Sequence, residues 1–333
     1  MSEKMHVTLQ INLAPTDLPH ATHILPHQLR QWGGQVDEIL FNVDLHRSRG
    51  KFGEGWQARL PGLRQLILEC CARYPHARSV DVDYSEESQR AVAEAYGLRS
   101  LIPIKDYRGA PFYAYLSALN AAQNDLVFHL DSDMLFGGGS QTWIGEALAI
   151  LASRPEVLAC NPLPGPPTPD ANLRSQVLER EPMASQAFRS PELSTRLFLL
   201  DRRRLRDLPI QRPSLRRSLG AWADGNPRLE TAERSISDLM ARQAWVRIDF
   251  LGQDPGMWAL HPPYRSATFY ERLPALIDEI ERGDIPDSQR GHHDVEDCLV
   301  DWTSVRPSHR GQLGTHLRLL RQRIRPNSVA IER

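Results

Sequence analysis

The stretch FHLDSDMLFGGG, residues 128 to 139, decides how the rest of this chain is read. An apolar run ends in Asp131-Ser132-Asp133, and a triple glycine follows shortly after. Charge is costly to bury without compensation, so a cation, a basic side chain or water has to meet this pair. In an extended backbone, residues i and i+2 face the same way. That geometry aims Asp131 and Asp133 into one site and turns Ser132 away. Two hard oxygen ligands so placed suit Mg2+ or Mn2+, which favour carboxylate, phosphate and water. Such a metal most often neutralises a diphosphate, which makes a nucleotide-linked substrate the expectation. Two solvated acids in a turn are the plain alternative.

The surroundings favour a ligand site. HVTLQINLAP alternates at Val7, Leu9, Ile11 and Leu13, which is a strand signal. A helical HQLRQW follows, then the apolar run EILFNVD ending at Asp44, the amphipathic helix LPGLRQLILECCARY and the strand SVDVDY. SEESQRAVAEAYG opens at Ser85 with acids in its first turn and closes at Gly97, as a helix does. SLIPIKD reads as a strand, PFYAYLSALNAAQ as a helix opened by Pro111, and DLVFHLDSDMLF as the strand carrying the motif. Further on, TWIGEALAILAS and LETAERSISDLMARQA read as helices, and EVLACN, STRLFLLDRRRL and WVRIDFLG as strands. NPLPGPPTPD and DPGMWALHPPYRS read as loops. The alternation predicts an α/β fold, a mainly parallel mixed sheet flanked by helices. Ligands bind such sheets outside the carboxyl ends of the strands. Asp44, Asp83, Asp106 and Asp131 all fall at or near such ends.

Composition narrows the class. The 333 residues carry 40 Lys+Arg against 41 Asp+Glu, so no global charge argues for nucleic acid. No stretch approaches the ~20 apolar residues of a membrane span, and the N-terminus has no signal-peptide core. A soluble protein is expected. Cys70, Cys71, Cys160 and Cys298 show no metal-type spacing and point to a reduced, cytoplasmic setting.

The segment KDYRGAPFYAYLSALNAAQNDLVFHLDSD, with its glycine, small-residue helix and D-x-D strand, resembles the A-type glycosyltransferases, particularly the large inverting family 2. The likeness runs over roughly residues 5 to 265. It implies a Rossmann-like nucleotide-sugar domain, Mn2+ or Mg2+ as cofactor, and transfer of a sugar from a nucleotide-diphosphate donor to an acceptor hydroxyl. By this resemblance Asp131 lies near the ribose and metal, with Ser132 among the nucleotide contacts, and Asp133 ligates the metal. His261, in MWALHPP, resembles the family's late histidine, which joins the metal or touches the diphosphate. An imidazole suits Mn2+ better than Mg2+.

LETAERSISDLMARQAWVRIDF resembles the family's acceptor-side helix, whose acid is the general base. A base is needed because the acceptor hydroxyl loses its proton as it attacks. Glu233 matches the first member of the family's Glu-Asp pair, but Arg234 stands in the second position. Glu230, one turn earlier, is the other catalytic candidate, and Asp238 and Asp224 are further ones. For the nucleotide, the candidates are the loop Ala14-Pro15-Thr16-Asp17, then Asp44 and Asp83, with Arg108 reaching the diphosphate.

The chain divides into a glycosyltransferase-type domain over 1–302 and a basic helical extension over 303–333. Within the domain, the nucleotide-sugar half covers about 1–140 and the acceptor half about 141–270. In the extension Leu313, Leu317, Leu320 and Ile324 fall at helical spacing among arginines. It either packs on the domain or meets an anionic membrane carrying a lipid-linked acceptor. Carbohydrate and small-molecule acceptors stay open too. The basic run HRSRGK, at 46 to 51, is a loop that would bind phosphate or an acidic acceptor if it folds over the site; HHDVED, at 292 to 297, offers metal ligands but reads more readily as a solvated loop. The competing functions are a haloacid-dehalogenase-type phosphatase, which also uses D-x-D, a sugar-nucleotide pyrophosphorylase, and a non-catalytic nucleotide-sugar-binding protein. Met134 and Leu135 follow the motif where the phosphatase has Thr or Val, and the pyrophosphorylase's glycine-rich opening is missing after Leu13.

Overall fold

A computed structural model describes residues 5–46, 55–176, 178–182, 186–223 and 225–306. The basic tail beyond residue 306, most of the loop at 46 to 51, and Asp224 lie outside the described residues.

The first half is a parallel sheet. Strand β1 (Val7–Leu13) pairs with β2 (Glu38–Val43) on one side and β4 (Leu126–Asp131) on the other, and β3 (Ala77–Asp81) extends the edge beyond β2. All three pairings are parallel. Strands covered on both faces read as near-continuous apolar runs, and β2 is buried at every position. The connections carry helices α1 (Leu18–Trp32), α2 (Trp56–Arg73), α3 (Glu86–Ala95) and α4 (Tyr113–Ala121). Helix α3 starts where Ser85 Oγ accepts the Ser88 N–H, with Glu86 and Glu87 in its first turn. Gly97 follows its end at φ +70, a conformation glycine adopts without Cβ strain.

The second half changes direction. The chain continues through β5 (Leu135–Gly137), α5 (Trp143–Ser153), β6 (Val157–Pro164), β7 (Glu179–Arg180), β8 (Ala187–Ser190) and β9 (Leu197–Asp201). It closes with α6 (Leu215–Ala223), α7 (Ala232–Gln243), β10 (Val246–Phe250), β11 (Trp258–Leu260) and α8 (Ala267–Arg282). Strand β9 inserts antiparallel between β4 and β6, β10 runs parallel to β6, and β8 and β7 finish the far edge antiparallel. Among the described residues the result is a mixed sheet of eleven strands flanked by eight helices.

Three segments depart from the sequence reading. SLIPIKD forms no strand: Lys105 makes one isolated bridge to Pro111, and Pro103 removes a ladder donor in the middle of the run. Conversely, β6 continues through Pro162 and Pro164, because the donor used there is the Leu163 N–H between them, which reaches Met257 O at 3.1 Å. The loop around Trp258 contains β11, which bridges β5 and β6.

Apolar packing closes both faces. Trp32 meets Phe128, Phe136 and Trp143 edge-on at 4.6, 5.2 and 5.7 Å between ring centroids. Helix α8 lays Phe269, Leu273, Leu276, Ile277 and Ile280 into a further cluster with Ile24 of α1. At its C-terminal end Glu281 pairs with Arg30 at 2.7 Å and His27 at 2.7 Å. His27 Nε2 accepts the Phe136 N–H at 2.9 Å, so the ring is neutral and its Nδ1 proton goes to Glu281. At the other end of α8, Arg265, just before the helix, meets Asp133 beyond the carboxyl end of β4.

Candidate active site

Strand β4 stops at Asp131, and the following residues turn before β5 begins. The two acids are therefore not an extended i, i+2 pair, and each has its own surroundings. Ser132 is not turned away but buried, with its Oγ 3.1 Å from His20 Nε2. Asp131 Oδ1 accepts from the Tyr115 hydroxyl at 3.1 Å and faces His129 Nε2 at 3.5 Å. Asp133 Oδ2 accepts from the Arg265 guanidinium at 2.7 Å. Arg265 also reaches Asp17 Oδ1 at 3.2 Å.

A basic side chain is thus what meets the motif. Burial pushes the Asp133 carboxyl up, but Arg265, then His261 and His20, outweigh it and hold it well below the usual carboxylate range. His20 is pushed down to about 4, chiefly by burial and then by Arg265, so it is neutral at pH 7.

On the β2 side, Asp44 Oδ1 accepts from the Tyr84 hydroxyl at 2.6 Å and the His46 N–H at 2.8 Å. Lys105 Nζ stands 3.5 Å from its Oδ2. Ala14, Pro15 and Thr16 form the turn between β1 and α1, where the Ala14 N–H donates to Asp17 Oδ2 at 2.9 Å. Asp83 is exposed and accepts the Ser85 N–H at 2.8 Å, so it shapes the entry to α3. Asp106 likewise closes a turn, accepting the N–H groups of Arg108 and Ala110 at 2.8 and 2.9 Å.

The acceptor-side acids separate clearly. Glu230 is buried and paired with Arg217 at 3.0 Å, and Asp238 pairs with Arg234 at 2.9 Å. Glu233 lies in the first turn of α7, whose N-terminus opens at the same carboxyl edge of the sheet. It reaches solvent, yet the surrounding protein desolvates it enough to raise its carboxyl above the usual range, against Arg196, Arg108 and Arg247. Arg108 thus stands near Glu233, and its Nε donates to the Tyr107 hydroxyl at 2.8 Å.

His261 is fixed from behind. Its backbone N–H reaches His293 O at 2.9 Å, its Nδ1 lies 3.1 Å from Asp294 Oδ1, and its ring stacks on His293. The HHDVED segment is therefore a supporting wall of the site and not a free loop. Among the described residues, no three His, Cys, Asp or Glu side chains gather as a metal site. The donor chemistry nevertheless fits an ion of the Mg2+ or Mn2+ kind. Asp133 offers a hard oxygen, and the carboxylate behind His261 is the usual support of a ligating imidazole. Such ions are commonly held by one or two protein groups together with substrate phosphates.

Sequence reasoning missed Arg265, His20, Tyr115 and Arg196, and it read Asp294 only as part of a loop of candidate metal ligands and not as the support of His261. Arg265 had a visible signal: a lone arginine four residues after His261, in a loop already tied to the motif by resemblance.

Fold and side chains together describe an open α/β sheet whose carboxyl edge carries a cluster of charged residues around Asp133, Arg265 and His261. No family description and no curated protein matches the sequence. Among solved structures it is similar to a mannosyltransferase from Pyrobaculum calidifontis in complex with GDP-Man and Mn2+, at 14% identity and TM-score 0.41, over 85% of this chain and 64% of that one. This match spans less than two thirds of that enzyme's length. TarS 1–349 from S. aureus is similar at 13% identity and TM-score 0.41, over 85% of this chain and 68% of that one. A UTP-bound UGPase from Acinetobacter baumannii follows at 10% identity and TM-score 0.39, over 82% of this chain and 93% of that one.

Proposed function

We propose that the protein is a glycosyltransferase that moves a sugar from a nucleoside-diphosphate donor to an acceptor hydroxyl, with inversion. The observation that carries this reading is the turn at the end of β4. It faces Arg265 and His261, and Glu233, solvent-exposed beside Arg196 and Arg108, stands at the same sheet edge. In this reading the donor occupies the half over about 1–140, its nucleoside lying over the β1 turn and the Asp44–Tyr84 pair. Arg265, with a side chain 38% exposed, is the cation that can turn from Asp133 toward a diphosphate. Asp133 and His261 would hold a divalent ion, which supplies further positive charge to the leaving diphosphate. Glu233 takes the proton from the acceptor hydroxyl; its raised carboxyl makes it a stronger base than an ordinary glutamate. The half over about 141–270 receives the acceptor.

Thermal unfolding against nucleoside diphosphates and their sugars, with and without Mn2+, tests the donor site. A ligand that binds only the folded state raises the midpoint. One nucleotide sugar is expected to do so, more strongly with metal, and to release its diphosphate when an acceptor is supplied. No shift with any nucleotide in either condition defeats the reading.

A further inference from the structure

Helix α6 wears its apolar side outward. Leu215, Leu219 and Trp222 stand at i, i+4 and i+7, which places them on one stripe. They are 87%, 68% and 71% exposed. Among the described residues only Leu68, on α2, is a comparably exposed large apolar side chain. The other side of α6 is fastened to the protein. Ala221 is buried, and Arg217 pairs with Glu230 and lies over the Tyr107 ring at 5.5 Å. The stripe is therefore presented by a helix that is anchored.

Charge says what covers it. The segment LRRSLGAWA has no acid, and Arg212 and Arg216 are exposed beside the stripe. The chain's own tail has the wrong charge for this role, since Arg318, Arg321, Arg323 and Arg325 make it basic as well. A second α6 would repel for the same reason. A partner has to be apolar at its centre and anionic around it. The boundary of an anionic bilayer meets both demands, with acyl chains taking leucine and tryptophan and headgroup phosphates taking arginine. We propose that α6 docks the protein on anionic phospholipid membranes. The inference rests on this surface alone and is independent of the sugar-transfer reading. If both hold, the bilayer lies close to Glu230 and the start of α7.

The test is co-sedimentation of the full-length protein with vesicles of phosphatidylcholine, alone or mixed with phosphatidylglycerol. Binding to the mixed vesicles is expected. The triple variant Leu215→Ser, Leu219→Ser, Trp222→Ser should lower partitioning at least about tenfold, and Arg212→Gln with Arg216→Gln should remove the preference for anionic lipid. These side chains are exposed, so an unchanged unfolding midpoint is expected of every variant. As a second readout, mixed vesicles should shield Trp222 from acrylamide quenching, and Trp222→Phe should bind while losing that change. Three results overturn the proposal: wild type remaining in the supernatant, the triple variant binding like wild type, or a vesicle-free dimer that the triple substitution dissolves.

Discussion

Two acids on the same sheet edge, Asp133 and Glu233, have opposite surroundings. The Asp133 side chain is 8% exposed, ion-paired to Arg265 and held ionised. Glu233 reaches solvent, and desolvation by its neighbours raises its carboxyl. A carboxylate held by a guanidinium is suited to keeping its charge, whereas one with a raised pKa is suited to exchanging a proton. Under the proposed function the contrast separates a residue that would bind from one that would react, and the first predictions press on it.

The largest effect is expected at Glu233, the base in the proposed reaction. Glu233→Gln should lower kcat by roughly 10²–10⁴-fold, the usual range for a general base, while donor affinity and unfolding midpoint stay put. A variant that instead loses donor binding would erase the distinction. Next comes the ion pair, where the two deletions should not be equal. Arg265→Ala strands a buried carboxylate and should destabilise by about 3 kcal/mol, near the low end for a broken buried pair. Asp133→Ala leaves an arginine already 38% exposed and able to rehydrate, so about 1 kcal/mol is expected. Denaturant midpoints of the two variants measure this asymmetry. Both should weaken nucleotide binding, and equal stability losses would show that Asp133 is less confined than its burial implies.

Smaller effects sharpen the frame around the site. His27 is buried with both ring nitrogens engaged, and burial holds its pKa below the usual 6.5. The unfolded chain therefore takes up a proton that the folded one resists. This contribution to stability is complete above pH 6.5 and is lost as the pH falls through the lowered folded value. Unfolding midpoints at stepped pH should decline on acidification, and His27→Gln should flatten the decline. The smallest change is Ser85→Ala, which removes one cap hydrogen bond at α3 and should cost about 1 kcal/mol by the same assay, with kcat unaffected.

These regions also differ in how far the sequence disclosed them. The parallel half was readable because its signals are local: alternation in β1, Ser85 and Gly97 bracketing α3, and Asp131 at the end of an apolar run. The second half depends on distant pairing. Nothing near Leu197 announces that β9 will run antiparallel between β4 and β6, and nothing near Val157 shows that Leu163 alone will donate between two prolines. The same limit applied to the site. The motif was visible, but its i, i+2 geometry assumed a strand running to Asp133, which in fact ends two residues earlier, and its cation sits 132 positions downstream. Helices α6 and α8 went unread, though both are amphipathic; one packs against α1 and the other shows its apolar stripe to solvent.

The clamp of α8 on α1 has a consequence for the order of events during synthesis. The Asp133 turn and the helix that will receive α8 emerge from the ribosome early, while Arg265, α8 and Asp294 come near the end. Until then Ile24 lacks its α8 partners, and Asp133 lacks its countercharge. A nascent chain that has not yet made residues 265–280 therefore carries an apolar seam at Ile24 and an uncompensated carboxylate at Asp133 at the same time. Exposed apolar surface of this kind is what chaperones cover during synthesis.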